Sequence, residues 1–325
     1  MMSLQKPEIP STQILFPVVV CAVIILSCCM HLKNVYADLR VSGRLPDPAL
    51  QVDVLDLDGD GHEEIVTLVP SGLSILPYRS PGTRNFFPIY PPGRPMSFSA
   101  SARNGWIVLN SIIDGVGLNS ALLRYEGGKI TVIQEGINLW LAFRETGFGD
   151  GPHLFGQNFA PEILYGDRLY QLKAGTDGIS YHGAPAIRLP SGASILKTAW
   201  IDLDGDGVRE LFTLTSGHTV HIVAEGSPPW THQLPSEGST SEDQAFLPIA
   251  PWKDGVIFAD PEAPDALWTC LLANGTYQIE RLENRFDGRV SGLFPLNGTV
   301  FVSITRMNQK DESGETLLYS LGNLR

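Results

Sequence analysis

The sequence predicts an all-β protein built from a repeated four-stranded antiparallel unit, and three observations predict it. Two acidic, glycine-containing loops are copies of each other, Asn-Gly and Asp-Gly pairs stand directly before apolar strands, and the units so marked recur at a regular interval. Gly (33) and Pro (24) are both abundant, as expected where many short strands meet in tight turns. The 325 residues suffice for one large all-β domain, residues 31–325, behind a short leader, residues 1–30.

The leader comes first in the chain. Residues 14–26 are apolar apart from Pro17 and carry no charge, which matches a secretory h-region of roughly 7–15 residues. The sequence Ile25-Leu26-Ser27-Cys28 that follows resembles a bacterial lipobox. That resemblance implies thioether lipidation of Cys28, with Cys29 as a second candidate acceptor. An uncleaved signal anchor over residues 14–30, at the short limit of a span of about 17 residues, is one alternative. Simple cleavage is the other. All three place the body outside the cytoplasm, and lipidation makes it a membrane-anchored protein of a bacterial cell envelope.

The first acidic loop reads Asp56-Leu57-Asp58-Gly59-Asp60-Gly61-His62-Glu63-Glu64, and the second, 146 residues on, reads Asp202-Leu203-Asp204-Gly205-Asp206-Gly207-Val208-Arg209-Glu210. A β-rich run enters each loop and another leaves it, so each caps a strand-to-strand connection. Elsewhere Asn104-Gly105, Asp254-Gly255 and Asn297-Gly298 precede apolar runs, the strongest short hairpin signal, and second hairpin strands follow at residues 121–125, 266–272 and 316–321. Units beginning near residues 50, 96, 139, 193, 246 and 289 are roughly 43–54 residues apart, the spacing of four-stranded propeller blades. The prediction is a β-propeller of six blades, with five or seven as alternatives. Residues 34–46 are expected to supply a strand that closes the ring.

The loops carry the candidate chemistry. Carboxylates at positions one, three, five and nine are Asp56, Asp58, Asp60 and Glu64 in the first loop and Asp202, Asp204, Asp206 and Glu210 in the second. So many anions in one turn repel each other unless a cation bridges them, and hard oxygens in a flexible ring suit Ca²⁺ better than Mg²⁺. The backbone carbonyls of His62 and Val208 are further candidate ligands. An EF-hand needs its bidentate Glu at position twelve, where this chain has Thr67 and Thr213. Acid at position nine instead resembles the Asp-x-Asp-x-Asp-Gly-x-x-Asp/Glu loop of FG-GAP and VCBS repeats. That resemblance implies a calcium-binding propeller, as in the integrin α-chain head, with its calcium loops between strands of the outer face.

Other signals are weaker. The formal charge of −12 argues against a nucleic-acid partner, which needs clustered Lys and Arg. Cys270, the single body cysteine, reads as a buried small hydrophobe between Trp268 and Leu272. His218 and His221, three apart on an expected strand, would face opposite ways and read as edge or surface residues. Asn274-Gly275-Thr276 and Asn297-Gly298-Thr299 match glycosylation sequons but read as hairpin turns, and Gly147-Phe148-Gly149-Asp150-Gly151 as a bend. No Gly-x-Ser-x-Gly, His-Glu-x-x-His or Walker sequence occurs. The expectation is a non-catalytic scaffold for a protein or glycan ligand in the envelope. The alternative is a hydrolase or lyase acting on an envelope polymer, whose acids would converge on the central channel.

Overall fold

The computed structural model describes residues 40–45, 47–78, 85–88, 93–144, 152–160, 164–166, 168–188, 195–224, 228–235, 247–252, 255–282, 286–307 and 314–321. Cys28, Cys29 and the rest of the leader lie outside the described residues, as does the glycine-rich stretch 147–151. Every regular element described is a strand, and all but one inserted two-stranded ladder belong to six four-stranded antiparallel sheets arranged as a six-blade β-propeller.

The first strand, β1 (Arg40–Leu45), waits for the end of the chain. Blade one is β2 (Gln51–Leu55), β3 (Glu64–Val69), β4 (Gly72–Pro77) and β5 (Asn85–Pro88); blade two is β6 (Arg94–Ser101), β7 (Trp106–Ile113), β8 (Gly117–Glu126) and β9 (Lys129–Ile137). Blade three combines β10 (Trp140–Arg144), β11 (His153–Gln157), β14 (Arg168–Gly175) and β15 (Gly178–Arg188), with a two-stranded ladder of β12 (Phe159–Ala160) and β13 (Leu164–Tyr165) inserted within it. Blade four is β16 (Ile195–Ile201), β17 (Glu210–Thr215), β18 (Thr219–Val223) and β19 (Trp230–Gln233). Blade five is β20 (Ile249–Pro251), β21 (Gly255–Ala259), β22 (Leu267–Ala273) and β23 (Thr276–Arg281). Blade six is β24 (Arg289–Leu296), β25 (Thr299–Met307) and β26 (Gly314–Ser320), and β1 completes it by pairing with β26. Segments from the two ends of the described chain are thereby hydrogen-bonded within one blade, which closes the ring.

Alternation of packing explains the sequence pattern. Both faces of each blade meet a neighbour, so the inner strands β3 and β17 are buried at every position, whereas the outermost β23 alternates exposed and half-buried. Five apolar clusters fill the seams: Leu57, Val66 and Leu73 pack on Phe98, Ile107 and Leu123 between blades one and two, for example, and Phe212 meets Phe258 at 5.3 Å between blades four and five. Each such side chain contributes roughly 1.5–3 kcal/mol by leaving water. Asn274-Gly275 and Asn297-Gly298 are two-residue hairpin turns with positive φ at both positions, the type I′ geometry whose twist matches the strands it joins.

First strands line the axis, with β2 against β24, β24 against β20, β20 against β16, β16 against β10 and β10 against β6. Their inward edges carry backbone groups that no ladder pairs, and side chains of the preceding blade satisfy them. The Gln51 amide donates to Phe98 O and accepts from Phe98 N–H, both at 2.8 Å. Asn110, fully buried, does the same for Leu141 at 2.9 Å each way. Ser99 serves Phe143, Gln157 donates to Ile195 O, and Thr305 and Thr316 hold Ala49 O and N–H. Gly292 is required where blade six meets blade one, because a Cβ there would stand 2.3 Å from Val52 O.

Candidate metal centre

Each acidic loop joins the axial strand of its blade to the next strand: the first connects β2 to β3 and the second β16 to β17. The expectation that they lie between outer strands is therefore corrected. The reason is local, since Glu64 and Glu210 at position nine are the first residues of β3 and β17, which fixes the loop to that connection. Position two anchors it, because Leu57 and Leu203 are completely buried in the seams while the residues after them are exposed.

Both loops fold through the same hydrogen bonds. Asp56 accepts from Gly59 N–H at 2.8 Å and Gly61 N–H at 3.2 Å; Asp202 accepts from Gly205 N–H at 2.7 Å and Gly207 N–H at 3.0 Å. Asp58 and Asp204 accept from the N–H groups of Asp60 and Asp206 at 3.3 and 3.1 Å, and Asp60 and Asp206 from those of His62 and Val208 at 2.8 and 2.7 Å. Glu64 and Glu210 reach back across the loop to the N–H of Leu57 at 2.8 Å and Leu203 at 2.6 Å. Two segments with different flanking residues thus reach one geometry.

The carboxylates converge as a hard cation would need. One oxygen from each of Asp56, Asp58 and Glu64 lies within 4.8 Å of the other two, and the same holds for Asp202, Asp204 and Asp206. Oxygens bound to Ca²⁺ at 2.3–2.6 Å stand at most about 4.6–5.2 Å apart, so these sets fit one ion each with little adjustment. Asp60 falls outside the first cluster and Glu210 outside the second, so the sequence-derived sets are only partly assembled; His62 and Val208 are exposed beside them. Burial pushes the Glu64 carboxyl up to about 7, and the neighbouring Asp58, Asp60 and Asp56 add to the rise. Glu210 is raised for the same reasons, burial first and then Asp204 and Asp202. A cation would reverse the repulsive part of both shifts.

The loops also sit on blade junctions. Arg103 N–H donates to Asp56 O and Gly105 N–H to Leu57 O, both at 2.7 Å, so the first loop is docked on the β6–β7 turn of blade two. Gly59, at φ 81°, is needed there, since a Cβ would come within 3.0 Å of Arg103 O. Around the second loop, Tyr277 of blade five is pushed up to about 12 by burial and by the charges of Glu210, Asp204 and Asp206; its ring meets Trp230 edge-on at 5.4 Å.

Two further expectations can be placed. Cys270 is fully buried, and burial pushes its thiol up to about 12, as a structural cysteine requires. His218 differs from its expected surface position. It occupies the β17–β18 turn at φ 54°, is 4% exposed, and its Nδ1 lies 2.9 Å from Glu262 Oε1, linking blade four to the β21–β22 loop of blade five. A turn placement removes it from the strand alternation on which the expectation rested. His221, in β18, is half-buried.

No protein-family profile matches the chain, and no curated protein matches it. Among solved structures it is similar to a chain of "Crystal Structure of Mitotic Checkpoint Complex", at 12% identity over 89% of this chain and 97% of that one, with a TM-score of 0.54. It also matches a chain of "Crystal structure of BBS1N in complex with ARL6DN, soaked with mercury", at 12% identity, 89% and 99% coverage and a TM-score of 0.41. At such identity the first likeness concerns the fold alone, and the fold it shares is the β-propeller.

Proposed function

We propose that this chain is a non-catalytic, calcium-binding β-propeller of the FG-GAP/VCBS repeat type that serves as a protein- or glycan-binding scaffold in a bacterial cell envelope. The observation that carries the reading is the duplicated loop: two separate segments adopt the same hydrogen-bond network around converging carboxylate oxygens. Calcium supplies positive charge there and joins residues from the loop and the following strand. Asp56, Asp58 and Glu64 would hold one ion and Asp202, Asp204 and Asp206 the other, with Asp60, Glu210 and the carbonyls of His62 and Val208 as the remaining oxygen donors. Because the first loop is docked on blade two, its stiffening passes to the seam between blades. Support for a scaffold comes from the fold, which the similar chain presents within a multiprotein complex. Support for the envelope comes from the apolar leader and its Leu26-Ser27-Cys28 sequence. The test is a pull-down from envelope extract with and without free calcium. A partner retained only with calcium supports the reading, and retention of the same set of proteins in both conditions overturns the calcium-dependent scaffold.

One observation favours the hydrolase or lyase alternative. Asp53 and Lys197, on axial strands of opposite blades, act on each other's ionisation, and burial drives their proton affinities towards each other, Asp53 up to about 6 and Lys197 down to about 7. That reading requires release of reducing ends or unsaturated products from envelope polysaccharide, abolished by Asp53→Asn.

A further inference from the structure

The axial channel gathers charged side chains that the acidic loops do not use. Asp53 lies on β2, Arg144 ends β10 and Lys197 lies on β16, three of the first strands around the axis. Blades one and four stand opposite each other in a ring of six, yet Asp53 and Lys197 lie within reach of each other's charge across the axis. Arg144 is fixed in place, its Nε–H donating to Thr198 Oγ1 at 3.3 Å and an Nη1–H to Phe143 O at 3.1 Å. Both acceptors are neutral, and among the described residues no carboxylate forms an ion pair with this guanidinium. Burial pulls Arg144 down to about 10; for Lys197, burial acts first and the like charge of Arg144 second, with Asp53 opposing them.

A half-buried guanidinium without an anion is only partly compensated, and a chain of formal charge −12 has carboxylates to spare. Here it stands beside a lysine instead. The space between them is small and polar: Ser97, Ser99, Thr198 and Ala142 line it with Arg144 and Lys197, in two adjoining cavities of about 260 and 290 Å³ counted with the solvent-open space. Their enclosed parts amount to only about 10 and 20 Å³, room for about a water each, so an anion would reach the two cations from the solvent-open side. Arg presents a planar fork that fits carboxylate or phosphate oxygens, and a neighbouring ammonium adds a movable charge.

We propose that the axial channel is an anion-binding site in which Arg144 and Lys197 receive the carboxylate or phosphate group of a small ligand, in a space lined by the hydroxyls of Ser97, Ser99 and Thr198. The site is separate from the acidic loops and stands whether or not they bind calcium.

The experiment uses the full chain in buffer freed of metal by chelating resin, titrated with sodium phosphate and with sodium malonate against sodium chloride at matched ionic strength. A saturable rise in melting temperature and binding heat are expected with phosphate, malonate or both, and neither with chloride; the stronger of the two identifies the preferred group. Arg144→Gln and Lys197→Met should each weaken the effect at least tenfold, while Asp58→Ala, in the first acidic loop, leaves it unchanged. Without added anion, Arg144→Gln should melt at or above the wild-type temperature, since it removes a half-buried charge that stands beside the like charge of Lys197. Should that variant not fold, Lys197→Met carries the comparison. Absence of a saturable effect with either anion, or its persistence in the folded variants, overturns the proposal. So does a lowered melting temperature in Arg144→Gln with the anion effect intact, which would make the guanidinium structural.

Discussion

Replacement of Asn110 by alanine tests how the blades are held together. The Asn110 amide is fully buried and makes four hydrogen bonds: Nδ2 donates to Ser97 Oγ and Leu141 O at 2.9 Å each, and Oδ1 accepts from Ser120 Oγ at 2.7 Å and Leu141 N–H at 2.9 Å. Asn110→Ala leaves the N–H and C=O of Leu141 without these partners on the inward edge of β10, inside the seam between blades two and three. Each stranded buried group costs about 1–3 kcal/mol, so the two together cost roughly 2–6 kcal/mol. A loss of about 3 kcal/mol is a large part of the roughly 5–15 kcal/mol that a folded domain commands. Urea unfolding followed by tryptophan fluorescence reads it directly: at an m-value of about 3 kcal/mol/M the midpoint falls by about 1 M with the slope unchanged. Asn119→Ala is the control, because its side-chain hydrogen bond, from Gly136 N–H to Oδ1 at 3.0 Å, is at the surface. A midpoint for Asn110→Ala within about 0.2 M of wild type would refute the argument that side-chain amides hold the axial edges.

Two further outcomes are expected. The Lys197 ammonium, held near Arg144 and Asp53, titrates at about 7 in the folded protein and at about 10.4 when unfolded, so between these values the unfolded chain binds more protons and stability rises with pH; melting temperatures at pH 6.5 and 9.5 should show this rise in wild type and a smaller one in Lys197→Met, and parallel behaviour of the two would contradict it. In the host, labelled palmitate should follow the protein and be lost on Cys28→Ala, or on the double Cys28, Cys29 change if Cys29 is the acceptor; label retained in the double variant excludes lipidation at the leader.

Much of the architecture was legible because the seams impose it. Asn297-Gly298 and Asn274-Gly275 announce hairpins by their own backbone preference, and the spacing of such signals gives six units whose starts fall close to β2, β6, β10, β16, β20 and β24. The closing strand was legible as an extra β-prone segment, which β1 occupies within residues 34–46. The acidic loops were visible for the same local reason, since the hydrogen bonds that shape each loop internally run between residues at most seven apart. What stayed hidden depends on contacts between distant segments. Gln51 and Asn110 look like ordinary polar residues in strands until the edges of β6 and β10 are placed against them. Arg144 and Lys197 had a faint signal, a charge at the end of the apolar stretches Trp140-Leu141-Ala142-Phe143-Arg144 and Ile195-Leu196-Lys197, but only the packing of blade three against blade four brings them together. His218 was misplaced because the strand begins one residue later than its pattern suggested.

The central claim is that the two acidic loops bind calcium, and isothermal titration of the metal-free protein counts the ions. Dissociation constants on the order of 10⁻⁴–10⁻³ M are expected for an extracellular module, and calcium at ten times the constant then adds about 1.4 kcal/mol per site. The loops lie in different blades and share no ligand, so their contributions should add. Wild type should take up two ions, Asp58→Ala and Asp204→Ala one each, and the double variant none, with the calcium-dependent rise in melting temperature divided between the two sites. No binding heat and no change in melting temperature at millimolar calcium would contradict the account.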